Sequence, residues 1–128
     1  MMAIVNQVAK KVVLPRWEIV KFQILVHCYL TNITVSSADL DCLTTLGVEG
    51  EAELTEFCNS ITDKNIFKSS QSARNAISKA EKKGLIIKKG RSKKRISLHP
   101  EINLQAEGNI LLDFKFAHIE SKETKNSD

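Results

Sequence analysis

Between Ser69 and Leu98 the sequence gathers side chains that hydrogen-bond flat polar edges and neutralise anions. Gln71, Arg74, Asn75, Ser78 and Lys82 recur at spacings that, at about 100° per residue, place them on one side of a helix, while Ala73, Ala76, Ile77 and Ala80 fall on the other. The inner side is small and lets the helix lie close to its neighbours. The outer side carries the residue types that pair with base edges in the major groove: Arg with guanine, Asn or Gln with adenine, Ser with either, each good pair worth about 1–3 kcal/mol of discrimination. Lys79 and Lys82 on the helix, and Lys88, Lys89, Arg91, Lys93, Lys94 and Arg95 just after it, add cations. Those bases need no such geometry and suit phosphates, which supply affinity without choosing sequence.

The charge distribution carries the same implication. From Arg74 to Arg95 ten bases stand against Glu81 alone, an excess of nine positive charges in 22 residues. From Ser36 to Asp63 there are seven acids (Asp39, Asp41, Glu49, Glu51, Glu53, Glu56, Asp63) and no Lys or Arg. The formal net charge of +4 therefore hides a polarised chain, one part drawing polyanions and another repelling them. A basic run can also be a solvated face or an edge-strand guard against aggregation, but an excess this concentrated is more than solubility requires.

Other chemistries find no foothold. No phosphate-cradling glycine loop, zinc-hydrolase helix motif, nucleophile elbow or paired cysteine ligands occur. Cys28, Cys42 and Cys58 are odd in number and lack metal spacing, so they read as reduced, small apolar residues on helices. His27, His99 and His118 are isolated and read as structural or surface residues; neither metal nor cofactor is expected, and the protein is expected not to be an enzyme. Trp17 and Tyr29 read as core. The basic hairpin has no interleaved aromatics of the kind single-strand binders stack on, so duplex is the expected partner.

A chain of 128 residues with 42% hydrophobic and 27% charged residues suits one folded domain. The apolar run at Val12, Val13 and Leu14 is cut by Pro15 and Arg16, far short of a secretory core or a membrane span, so no export and no membrane partner are expected. Residues 1–14 read as an arm, 15–118 as the domain and 119–128 as a polar tail. Arg16 to about Thr31 is a first helix, apolar around nearly its whole circumference; burial on several sides at the centre of the domain is expected in preference to a subunit contact. Ile33 to Val35 suggests a short strand. Ser36 or Ser37 then caps a helix through Leu40, Leu43 and Leu46 that stops at Gly47. A third helix spans about Ala52 to Thr62, Ile66 and Phe67 tuck against the core, and a fourth helix covers about 70–83, ending at Gly84. Leu85 to Lys89 and Lys94 to Leu98 form a hairpin around Gly90. Asn109 to Phe116 reads as a strand or short helix.

The stretch SSQSARNAISKAEKKGLIIKKGRSKKRISLHP, residues 69–100, resembles the recognition helix and wing of the winged helix-turn-helix superfamily. It is similar in style to bacterial, plasmid and phage regulators and replication initiators, in which a helix, Lys-Lys-Gly-Leu-Ile and a basic hairpin follow one another. The resemblance implies a mainly α fold with a small β-hairpin (α+β), a recognition helix at about 70–83 and a wing at about 85–98. Gln71, Ser72, Arg74, Asn75 and Ser78 align with the part that enters the major groove, and Arg91, Lys93 and Lys94 with the wing tip. It further implies a cytoplasmic protein of a bacterial or phage-infected cell that binds double-stranded DNA sequence-specifically, in transcription regulation or DNA replication. A homodimer would meet through the apolar first helix or the C-terminal segment. The alternative is a structural or assembly protein, a virion component or adaptor, that keeps the winged-helix body and uses its basic face for protein or packaged DNA. Departures are the long link from Asp63 to Ser69, the acidic helix near Asp39 to Leu46, and the segment beyond Pro100, a third wing strand or a subunit contact.

Overall fold

Three of the four helices stop by the same device. Asn32 (φ 59°), Asn65 (φ 62°) and Gly84 (φ 81°) turn the chain into the left-handed region. The next residue is apolar each time and its N–H reaches back to a helix carbonyl: Ile33 to Cys28, Ile66 to Ile61 and Leu85 to Ala80, at 2.8–3.0 Å. The orphan carbonyls of the last turn are thereby satisfied while an apolar side chain folds onto the core. In the computed structural model, which describes residues 15–105, the helices are α1 (Arg16–Leu30), α2 (Ser37–Glu49), α3 (Leu54–Asp63) and α4 (Ser70–Lys82). The strands are β1 (Glu51–Glu53), β2 (Ile86–Lys89) and β3 (Arg95–Leu98), followed by a single 3₁₀ turn at Pro100–Ile102.

Three of the four helix starts are set by side-chain caps, α1 following Pro15 without one. Ser36 and Asp39 form a reciprocal capping box on α2, Glu53 accepts from the Glu56 N–H at the start of α3, and Ser69 accepts from the Ser72 N–H at the start of α4. The strands form one antiparallel sheet in the order β1-β3-β2, with Ala52, Ile96 and Lys88 side by side and Glu53, Arg95 and Lys89 in the next row. The fold is thus mainly helical with a small three-stranded antiparallel sheet, an α+β arrangement. Val20, Ile24, Leu43, Leu46, Phe57, Ile61, Ile77, Leu85 and Ile96 make the core, drawn from every helix and from the hairpin. Thr44 and Thr45 are buried inside α2, each donating its hydroxyl to the carbonyl four residues back. No described helix is long and apolar enough to cross a membrane.

Four expectations are corrected. Ile33 to Val35 is not a strand: with Asn32 left-handed and Ile33 tied to Cys28, these residues form a connection whose apolar side chains pack on the core. Ala52 belongs to β1, so α3 begins at Leu54. In α1 only Val20, Ile24 and Cys28 are fully buried; Phe22, Leu25, Val26, Tyr29 and Leu30 are exposed, so the helix is not internal and Tyr29 is not core. Gly47 does not end α2, which runs on to Glu49 with Gly50 as its cap. Ile66 and Phe67 do pack against the core. Residues 1–14 and 106–128, with His118 and the apolar run at 109–116, lie outside the described residues.

Gly47 has a different duty. A Cβ at this position would lie 2.8 Å from Val20 Cγ1 and 3.0 Å from both Leu98 Cδ1 and Leu104 Cδ1. Glycine therefore permits the close approach of α1, α2 and the sheet. Gly47→Ala gains up to about 1 kcal/mol in helix propensity, but overpacking of this kind costs about 1–3 kcal/mol, and Val20 is a stiff β-branched neighbour. Overpacking wins, and Gly47→Ala lowers the unfolding free energy by about 1–2 kcal/mol in urea denaturation. An unchanged or raised midpoint would show that the three neighbours give way.

Candidate nucleic-acid interface

α4 buries Ala73, Ile77 and Ala80 and leaves Gln71, Ser72, Asn75, Ser78, Lys79 and Lys82 exposed, with Arg74 half-buried at its edge. The outward array expected from periodicity is therefore present, and its members are already tied to one another or to α3. Gln71 Nε2 donates to Asn75 Oδ1 (3.0 Å), which leaves the Gln71 carbonyl and the Asn75 amide facing outward as one acceptor and one donor. Arg74 Nη2 donates to Thr55 Oγ1 (2.8 Å), steadying the guanidinium against α3. Ser72 is drawn into the cap, receiving a hydrogen bond from the Ser69 hydroxyl (3.1 Å). Ser70 donates to Asn59 Oδ1 (2.8 Å), a second polar link between the two helices.

The cations divide into two groups. Lys79 lies 3.6 Å from Asp39, Lys88 3.4 Å from Glu81, and Lys89 and Arg95 lie 2.6 and 2.9 Å from the two oxygens of Glu51. Lys88 shares its sheet face with Ile86 and Ile96, so its stem runs over the core side toward α4. Partly exposed pairs of this kind contribute on the order of 1 kcal/mol or less to stability; their effect here is to cancel charge locally. Arg74, Lys82, Lys83, Arg91, Lys93 and Lys94 have no acidic partner among the described residues, Lys83 donating instead to the Thr34 carbonyl (2.7 Å). Within α4 and the hairpin the uncompensated charge thus sits along the helix and at the tip, while Arg16, Lys64 and Lys68 are further unpaired cations among the described residues. Gly90 (φ 95°) and Lys93 (φ 55°) turn that tip, and Arg91, Lys93 and Lys94 are all exposed on it.

Thr55, Asn59 and Glu51 escaped the sequence reading. Thr55 and Asn59 stand four apart on α3 and so share a face, a periodicity visible in principle; their partners on α4 are fixed only by tertiary packing. Glu51 reaches Lys89 and Arg95 only because β1 pairs with β3, which local pattern does not reveal. Beside β1 an open depression of about 300 Å³ is lined by Glu49, Glu51, Glu53, Glu56 and Arg95 among others. The cleft between α2 and α4, lined by Asp39, Cys42, Ala76 and Lys79, holds about 10 Å³, room for about one water. Burial pushes the Cys42 thiol up to about 12, with Cys58 and Asp39 adding to it, and burial also raises Cys28 and Cys58, so all three remain protonated. Among the described residues no group of His, Cys, Asp and Glu is placed to hold a metal ion. His99 instead accepts the Glu101 N–H at Nδ1 (3.1 Å) and caps the 3₁₀ turn. No protein-family model, no curated protein and no solved structure matches the chain.

Lys89 first and Arg95 second hold the Glu51 carboxyl below the usual carboxylate range. Because the folded value is lowered, the three-way contact is intact above the unfolded Glu value of about 4.3 and is lost as pH falls through the lowered one. In a carboxyl NMR titration Lys89→Ala should move the Glu51 midpoint upward, and by more than Arg95→Ala does. A midpoint indifferent to both variants would show that Glu51 is not the clamp.

Proposed function

We propose that this chain is a winged-helix protein that binds double-stranded DNA sequence-specifically, as a transcriptional regulator or replication-initiation protein, and that it is not an enzyme. The observation that carries the reading is the exposed Gln71, Asn75 and Ser78 face of α4 flanked by the uncompensated cations of the hairpin tip. The order helix, strand, helix, helix, strand, strand from α2 to β3, with sheet order β1-β3-β2, supports the winged-helix assignment. In this role α4 enters the major groove, with Asn75 and Gln71 addressing adenine and Arg74 guanine. Arg91, Lys93 and Lys94 meet phosphates beside the groove, with Lys82 doing the same from the end of α4. Lys79, Lys88, Lys89 and Arg95, tied to acids, contribute less. A second reading, an assembly protein that uses the basic face for protein or packaged DNA, is favoured only by the bare apolar side of α1.

Fluorescence anisotropy with a selected duplex and a scrambled one, at several salt concentrations, tests this. Affinity should fall with salt by a log–log slope of about −0.9 for each phosphate neutralised. Arg91→Ala and Lys93→Ala should weaken both duplexes alike and each flatten the slope by about 1. Asn75→Ala should cost about 1–3 kcal/mol on the selected duplex and little on the scrambled one. Equal affinity for every duplex removes the base-reading role, and no binding in dilute buffer removes the DNA reading altogether.

A further inference from the structure

From Phe22 to Leu30 α1 carries no Asp, Glu, Lys or Arg, and five large apolar residues of that stretch face outward. Phe22 is 44% exposed, Leu25 47%, Val26 36%, Tyr29 83% and Leu30 75%. Phe22, Leu25, Val26 and Tyr29 follow the i, i+3, i+4, i+7 spacing of a helix contact stripe. At about 100° per residue this stripe lies roughly opposite the buried one formed by Val20, Ile24 and Cys28. Taking roughly 150–250 Å² for each large side chain, the face left open among the described residues amounts to about 430–710 Å². That reaches the upper end of the largest patch an ordinary monomer leaves open, about 300–600 Å². It is also more than half of the roughly 800 Å² per partner that a stable interface needs, and the stems of Glu18 and Lys21 along the edge supply more.

We infer that this face is the contact between two copies of the chain, paired as antiparallel α1 helices. The stripe maps onto itself when the helix is reversed: Phe22 of one copy falls opposite Tyr29 of the other, and Leu25 opposite Val26. A two-fold contact requires such self-complementarity. Antiparallel pairing also sets the helix dipoles side by side in opposite directions, each N-terminus beside the other's C-terminus. Charge favours the same surface. Two chains of net charge +4 repel, and the uncharged side of α1 is where they approach at least cost. α1 packs on α2 and the 3₁₀ turn, whereas α4 packs on α3 and β2, so the pairing leaves the α4 face open. The inference does not rest on the DNA reading.

Sedimentation analysis of the full chain without DNA, from dilute to concentrated solution, should give about twice the single-chain mass. Leu25→Glu combined with Tyr29→Glu should return it to one chain with the far-ultraviolet circular dichroism unchanged. A second measurement holds even where that variant folds poorly: Phe22→Cys and Tyr29→Cys proteins, mixed and oxidised, should link to each other more readily than either links to itself. A single chain at every concentration overturns the inference, whether the face is bare or covered by residues 106–128. So does a dimer that survives both glutamates, or linkage no stronger in the mixture. A monomer that binds duplex removes only this inference, and a dimer that ignores duplex removes only the earlier one.

Discussion

Three rungs of backbone pairing, Glu51 with Ser97, Ala52 with Ile96 and Glu53 with Arg95, join the helical half of the chain to the hairpin. Without them β2 and β3 would pair only with each other and be oriented only by their packing on α4 and α2. With them the hairpin acquires a fixed attitude: the Leu54 N–H, the first of α3, donates to the Lys94 carbonyl at 2.7 Å, and Glu51 clasps one base on each hairpin strand, Lys89 on β2 and Arg95 on β3. The same short strand therefore sets where α3 starts and where the hairpin points. Since α3 in turn holds Arg74 and Ser70 through Thr55 and Asn59, the position of α4 relative to the tip depends on this ladder as well.

What the sequence showed and what it hid divide along the range of the interactions involved. α4 and the hairpin were legible because their signals are local: a serine cap, an Ala-rich stripe at helical spacing, Gly84 at the stop and Gly90 in the turn. β1 was not, because Glu-Ala-Glu has no strand propensity of its own and becomes a strand only by pairing with residues more than forty positions away. Ile33 to Val35 shows the converse, since its β-branched residues fit a strand but the Asn32 turn and the Ile33 link to Cys28 claim the backbone first. Gly47 read as a stop because glycine usually serves that purpose; its actual requirement, a missing Cβ against Val20, Leu98 and Leu104, exists only in three dimensions. The apolar circumference of α1 was visible, but the fraction of it that the core covers was not.

The charge balance of the two segments likewise changes meaning once they are folded. Their opposite signs implied an acidic flank set apart from a basic prow. In the structure the acids reach across: Asp39 to Lys79, and Glu51 to Lys89 and Arg95. Asp39 also closes the capping box of α2, so one carboxylate serves a helix start and a cation on another helix. This partial cancellation narrows the positive surface. A polyanion arriving at the Lys89–Arg95 rung, the last before the turn, would have to displace Glu51, whereas on the turn itself Arg91, Lys93 and Lys94 meet it directly. On the DNA reading, phosphates are thereby guided to the tip, and the polar face of α4 presents its amides to whatever groove edge lies beside that anchor. Specificity and affinity then come from separate residues, with the paired bases between them reinforcing the scaffold more than the contact.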